Sequence, residues 1–192
     1  FLFFPRGVAM AEVNLILVGV NHKTTPVEIR EKLAFTKGKI EESVNHLFNF
    51  PDIIEHTILS TCNRVEIYAR ANSQDSAIKS IKQFICDFHQ LSLVELEDHF
   101  YSYRNKEAVE HLFRVSSSLD SMILGEAQIL GQVKEAYSLA RDLRSTGLVL
   151  NQLFEKAFSI AKKVREETGI AERSVSISSA AVELAQKIFD DL

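Results

Sequence analysis

The period of the apolar residues changes part-way along this chain, and the change limits the folds open to it. Up to about residue 105 the apolar stretches are short. Residues 15–20 form a β-branched run closed by Asn21, Thr24, Thr25 and Pro26, while Val65, Ile67 and Ala69 alternate with Glu66, Tyr68 and Arg70. The first reads as a buried strand and the second as a half-buried one. Residues 56–60 pair with the second as a hairpin with Cys62 near its tip, and the aromatic residues 99–103 supply a fourth strand. Beyond that point the spacing is helical. Ile129, Val133, Ala136, Ala140 and Leu143 make one stripe, and Leu150, Leu153, Phe154, Ala157, Phe158, Ala161 and Val164 make a longer one. Short strands early and long helices late predict an α+β fold, with a small, mostly antiparallel sheet of about four strands packed with helices and followed by long C-terminal helices.

Punctuation refines this outline. Pro26 suits the first turn of a helix over residues 27–33, and Thr36 is the expected N-cap of a second helix that ends before Pro51. Ile78, Ile81, Ile85 and Phe88 mark an amphipathic helix over residues 75–91, and Asn105 is the expected cap of a helix from Lys106 that carries His111. Gly147 and Gly169 stand where helix C-caps are expected, and Ser174 opens a last helix. No Gly-x-Gly pair occurs, so the glycine-rich phosphate turn of a dinucleotide fold is absent from the sequence.

Charge excludes one class of partner as the main source of grip. Lys and Arg number 22 against 26 Asp and Glu, a net charge of −4 that gives no broad attraction to phosphate backbones or anionic lipid. No stretch approaches the ~20 apolar residues of a membrane span, so a soluble, non-membrane protein is expected. The apolar first residues are too short for a signal peptide and read as a leader or an expression remnant. Two cysteines in unlike contexts do not suggest a disulfide framework and point to a reducing compartment such as the cytoplasm.

Few residues could carry chemistry. Cys62 lies two residues from Arg64, and a nearby positive charge favours the thiolate that a nucleophile requires. The guanidinium could also take a carboxylate bidentately. A small, buried, inert cysteine beside a surface arginine is the alternative. Cys86, within an apolar helix pattern, reads as structural. His111 could act as a general acid or base, or be a satisfied helix-edge histidine. Residues 116–128 break the helical pattern with small hydroxyl and carboxyl side chains, which suits recognition of a small polar group or a turn capped by Asp120 or Ser121. The histidines show no i, i+3 or i+4 pairing and there is no Cys-x-x-Cys, so no metal site is expected.

Taken together, Val18-Gly19-Val20-Asn21-His22-Lys23-Thr24-Thr25-Pro26, Ser60-Thr61-Cys62-Asn63-Arg64-Val65-Glu66-Ile67-Tyr68, His111-Leu112-Phe113-Arg114-Val115 and the block from Leu119 to Gln132 resemble the glutamyl-tRNA reductase family. The resemblance runs from about residue 14 to the end. It implies a cysteine that attacks the activated α-carbonyl of glutamyl-tRNA, giving a thioester that NADPH reduces to glutamate-1-semialdehyde in tetrapyrrole (porphyrin, heme) biosynthesis. Residue by residue, it makes Cys62 the nucleophile and His111 the activity-linked histidine. It places Thr61, Asn63, Arg64, Ser121, Glu126, Gln128 and Gln132 at the substrate. Two positions depart from the usual pattern: Ser118 stands where glycine is common, and Ala127 where proline is common. The resemblance divides the chain into a leader over 1–13, a catalytic domain over 14–168 and a connecting helix over 169–192. NADPH-binding and dimerisation domains would follow, so no cofactor is expected to bind this length of chain. It also implies a homodimer and contact with the next enzyme of the pathway. The reading from another class is a non-catalytic helical interaction module whose C-terminal stripes dock a partner helix.

Overall fold

A computed structural model describes residues 13–36, 38–122, 124–126, 128–171 and 185–186. The expected leader, except residue 13, and most of the expected last helix lie outside the described residues. Strand β1 (Leu15–Asn21) is followed by α1 (Val27–Leu33) and α2 (Ile40–Leu47), then by the hairpin β2 (Ile53–Ser60) and β3 (Arg64–Ala71). Helix α3 (Gln74–Phe88) and the single turn α4 (Leu93–Leu96) lead to β4 (Tyr101–Arg104). Three helices follow, α5 (Lys106–Ser116), α6 (Gln128–Asp142) and α7 (Leu148–Glu167), and a 3-10 turn over Gly169–Ala171 comes after them. The sheet order is β2-β3-β1-β4 and every neighbouring pair is antiparallel. This is the split βαββαβ arrangement, in which β3 inserts between β1 and β2. The α+β expectation with four strands is met.

Alternation along the strands sorts two cores. Ile16, Val18, Val20, Val65, Ile67 and Ala69 pack with Leu33, Val44, Leu47, Ile81, Phe84 and Ile85 from α1–α3. Leu15, Leu17, Leu59 and Tyr68 on the opposite face pack with Leu112, Val115, Val133, Leu150, Leu153 and Phe154 from α5–α7. The molecule is therefore three layers, with the sheet in the middle. That corrects the reading of β3 as half-buried: Arg64 through Ala69 are all buried, and the polar face that pattern assigns to water lies under α5–α7. Of the stripe from Leu150 to Val164, Leu150, Leu153, Phe154, Ala157 and Ala161 are buried and Phe158 is partly buried against the same core, so it is not a free docking face. Among the described residues no helix is long and apolar enough to cross a membrane.

Three caps differ from expectation. Helix α2 begins at Ile40 behind Lys39, and Thr36 contributes its main-chain oxygen to the amides of Lys39 and Ile40, at 2.9 and 3.0 Å. Asn105 stands at the N-cap of α5 but its side chain makes no cap bond. Its Oδ1 instead accepts from Leu15 N at 3.1 Å and Gln74 Nε2 at 2.9 Å, tying β1 to α3. Gly147 precedes α7 rather than ending α6. The left-handed position after α6 is taken by Arg144 (φ 57°), while a Cβ at Gly147 would come within 2.9 Å of the Glu55 carboxyl. That carboxylate, on edge strand β2, accepts from the amides of Gly147, Val149 and Leu150 at 3.0, 3.3 and 2.8 Å. It closes the positive end of α7 from another element.

One buried histidine makes this fold sensitive to acid. His56 on β2 is fully buried, its Nε2 lies 2.9 Å from the Val44 carbonyl, and its Nδ1 has no partner among the described residues. Burial pulls its pKa down to about 4, against the smaller opposing effect of the Val44 bond. Between about 4 and 6.5 the unfolded chain therefore binds a proton that the folded chain refuses, so stability falls as pH drops through that window. The full contribution is roughly 3 kcal/mol on the scale of 1.36 kcal/mol per pKa unit. Urea unfolding at pH 7 and pH 4 should show the wild type losing that much more than His56→Gln; equal losses in the two proteins would contradict it.

Candidate active site

The turn between β2 and β3 is fixed by its own threonine. Thr61 Oγ1 accepts from the amides of Asn63 and Arg64, both at 3.2 Å, and Thr61 N donates to Arg64 O at 2.9 Å. Such a side-chain turn holds the backbone without the Cys62 side chain, which is a free, exposed thiol. Two further bonds staple the turn to the segment after β1. The amide of His22 donates to Asn63 O at 3.0 Å, and Arg30 Nε donates to Cys62 O at 3.4 Å while its Nη1 reaches Thr25 O at 2.7 Å. Cys86, by contrast, is buried in α3, and burial pushes its thiol up to about 11.

Behind the turn, the polar face of β3 forms a buried cluster. Glu66 is fully buried and its carboxylate accepts from four donors: Arg64 Nη1 at 2.7 Å, Tyr101 OH at 2.5 Å, His111 Nε2 at 2.8 Å and Tyr68 OH at 2.7 Å. Burial alone would raise the Glu66 pKa, but the Arg64 charge and the bonds from His111 and Tyr101 outweigh it and keep the carboxyl far below the usual carboxylate range. Burial likewise opposes the charge on Arg64, and Glu66 more than restores it, so the guanidinium is held firmly ionised. The same carboxylate, after burial itself, lifts the Tyr101 and Tyr68 hydroxyls well above their ordinary value. Arg64 also bonds both the carboxylate and the main-chain oxygen of Asp120. Asp120 in turn holds Lys23, and despite burial those two cations depress its pKa.

Asp120 is delivered by the segment between α5 and α6. Ser118 has φ 60° and Gly125 φ 83°, so the chain turns twice through the left-handed region. The loop is closed by Gly125 N to Ser118 O at 3.2 Å and Ser118 Oγ to Glu126 O at 2.5 Å. A left-handed Ser118 gives a physical reason for a glycine preference there.

A cleft of about 410 Å³ opens over this cluster, lined by Asn21, Lys23, Tyr101, Tyr103, His111 and Asp120 together with Glu107, Glu110 and Arg114. The His111 ring is steadied by Tyr101 and Tyr103, with centroids 5.7 and 5.0 Å away. Of the residues singled out in the sequence, His111 lines the cleft and Arg64 lies beneath it. Thr61, Cys62 and Asn63 form the turn at the head of β3. Ser121 and Glu126 are partly exposed on the α5–α6 segment, and Gln128 and Gln132 stand exposed and partly exposed on the first turns of α6. The guanidinium of Arg64 is engaged by Glu66 and Asp120, and the guanidinium that meets the turn is that of Arg30, from α1.

Sequence reasoning passed over Glu66, Lys23, Tyr101 and the true role of Asp120. The signal for Glu66 was present: Arg64, Glu66 and Tyr68 share one strand face, and opposite charges two residues apart under a helical layer must pair. Nothing local could have announced Lys23, whose partner is 97 positions away. Among the described residues no group of His, Cys, Asp and Glu could hold a metal ion. Among the described residues the sheet is antiparallel throughout, and the sequence holds no Gly-x-Gly turn.

Fold and site define a class: a split βαββαβ sheet under three C-terminal helices, with a free thiol at the head of a central strand and a charged cleft over a buried carboxylate. A family profile described as glutamyl-tRNAGlu reductase, N-terminal domain, matches residues 18–168. The chain belongs to that family. It is 52% identical over 180 residues to the glutamyl-tRNA reductase of Geotalea uraniireducens strain Rf4, covering 94% of this chain and 42% of the relative. To the glutamyl-tRNA reductase of Geobacter sulfurreducens it is 49% identical, with the same coverage. The solved glutamyl-tRNA reductase from Methanopyrus kandleri superposes with a TM-score of 0.73 at 38% identity, covering 90% of this chain and 39% of that one. The chain thus spans about two-fifths of the length of these relatives.

Proposed function

We propose that this chain performs the acyl-transfer half of a glutamyl-tRNA reductase reaction, with Cys62 as nucleophile. The observation that carries the reading is the exposed thiol on a rigidly stapled turn at the head of the strand that bears Arg64 and Glu66, in a member of this family. The Cys62 sulfur attacks the α-carbonyl carbon of the glutamyl ester. A C–S bond forms, the C–O bond to the terminal ribose breaks, and the thiol proton ends on the departing ribose oxygen. His111 assists that last transfer. Its Nε2 is held by Glu66, which leaves Nδ1 without a hydrogen-bond partner among the described residues. Thr61 and Asn63 shape the turn, and Arg64 orders the floor of the site. Ser121, Glu126, Gln128 and Gln132 stand on the α5–α6 side as contacts for the glutamyl-adenosine end.

In this reading residues 14–168 form the catalytic domain, and 169–192 lead towards a domain that binds NADPH and reduces the thioester to glutamate-1-semialdehyde for tetrapyrrole synthesis. Two free cysteines fit a reducing compartment, so the cytoplasm is the proposed location, with a homodimeric full-length protein handing its aldehyde to the next enzyme.

Mixing the chain with glutamyl-tRNA without reductant, quenching in acid and measuring intact mass should show one glutamyl adduct, which peptide mapping places on Cys62 and not on Cys86. An adduct on Cys86, or none, would overturn the assignment.

A further inference from the structure

The segment between α5 and α6 is held at its start by the helix before it and braced at its far end from elsewhere in the chain. Leu119 N donates to Arg114 O at 2.8 Å, which ties the start to the last turn of α5. The bonds from Gly125 N to Ser118 O and from Ser118 Oγ to Glu126 O fold the far end back on the segment itself. Between these ties lies Asp120, whose carboxylate and main-chain oxygen hold Arg64.

The brace comes from the chain after α7. Thr168 leaves that helix extended, at φ −128° and ψ 151°, with its amide and hydroxyl both donating to Val164 O at 3.1 and 2.6 Å. The 3-10 turn Gly169–Ala171 then lies directly against Gly125. A Cβ at Gly125 would collide with the Ile170 main-chain oxygen and stand 3.3 Å from Ile170 Cγ1. Gly125 is buried and Ile170 partly so. A glycine here meets two separate demands, a φ of 83° and an approach that leaves no room for a side chain.

We infer that Ile170 is a positioning residue for acyl transfer: seated on Gly125, it holds the α5–α6 segment in the conformation that sets Asp120 against Arg64 and presents Ser121 and Glu126. The inference deepens the acyl-transfer reading above and rests on it. The hydrogen bonds described for Gly125 and Glu126 return to Ser118, itself part of the segment, whereas the Ile170 contact ties that end to a turn far along the chain. Because the chain leaves α7 through this turn, a displacement of the turn is felt at Asp120.

The test is single-turnover acylation of Cys62 by glutamyl-tRNA over a range of donor concentrations, read by intact mass beside urea melts. Cys62 and His111 stand on other elements, so the rate at saturation should stay within about threefold of wild type in each variant. Apparent donor binding should weaken by roughly tenfold in Gly125→Ala and equally in Gly125→Asn, since asparagine tolerates a positive φ but carries the same Cβ. Ile170→Gly, which frees the turn without adding a clash, should weaken binding by about three- to tenfold. It should also speed amide exchange at Gly125 and Leu119 but not at Leu150. Joined to Gly125→Ala it should add nothing more, because both act through one contact. Should the Gly125 variants fail to fold, Ile170→Gly carries the test alone. Gly125→Asn at wild-type binding, losses that multiply in the double variant, or unchanged exchange at Gly125 in Ile170→Gly overturns the inference while leaving the Cys62 assignment standing. A wild type that forms no Cys62 adduct overturns the acyl-transfer reading and this inference together.

Discussion

Cys62→Ser should lose acyl transfer from glutamyl-tRNA by on the order of 10³-fold or more, the scale of loss when the nucleophile of a covalent mechanism is removed. A thiol is partly ionised near neutral pH and intrinsically very nucleophilic, whereas a serine hydroxyl needs a base in hydrogen-bonding contact. Among the described residues no such base bonds the turn: Thr61 and Asn63 serve the backbone, and Arg30 meets the carbonyl of Cys62. The imidazole of His111 is held by Glu66. The substitution is nearly isosteric at an exposed position, so the unfolding midpoint should stay within about 0.5 kcal/mol of wild type. Loss of activity with unchanged stability is therefore the expected pair of results. Quenched-flow deacylation beside urea melts reads both, and a serine variant retaining more than a tenth of the wild-type rate would remove Cys62 from the mechanism.

Glu66→Ala should instead act through the fold, at a cost of about 3–5 kcal/mol, typical of breaking a buried ion pair by removing one partner. The carboxylate is the common acceptor for Arg64, Tyr68, Tyr101 and His111, and it is fully buried. Its loss leaves a guanidinium at 1% exposure with only the more distant Asp120 carboxylate, at 3.4 Å, as counter-charge. Two tyrosine hydroxyls lose their acceptor as well. The paired change Glu66→Leu with Arg64→Met should recover a substantial part of the loss, because neither charge then has to be buried. Denaturant unfolding of the two variants separates this account from simple cavity formation: if the double variant is less stable than Glu66→Ala by the sum of two independent costs, the ion pair is not the cause.

The apolar half of this architecture was open to sequence reasoning, and most of the polar half was not. Strands β1 and β3 follow from β-branched runs and alternation, and α6 and α7 follow from stripes at helical spacing, because those periods report directly on which side faces a core. The same rule misassigned Glu66 and Tyr68 to solvent, since alternation shows that two faces differ without showing what covers the second. Glycine as a helix terminator is a sound expectation, yet Gly147 serves the close approach of Glu55, a residue on a distant strand. Local pattern placed Cys62 on a turn between two strands, and the structure puts Thr61–Asn63 in that turn. The orientation of Arg64 depends on Asp120, delivered by a loop that reverses at Ser118 and Gly125, and no local pattern carries that information.

The capping of α7 by Glu55 has a consequence for the order of assembly. The amides that begin this helix meet their acceptor on a strand 92 to 95 residues earlier. Helix α7 therefore gains its full anchorage only once the hairpin of β2 and β3 is in place, which makes its docking a late, long-range event in folding. A nascent chain would hold α7 loosely until the sheet behind it had set.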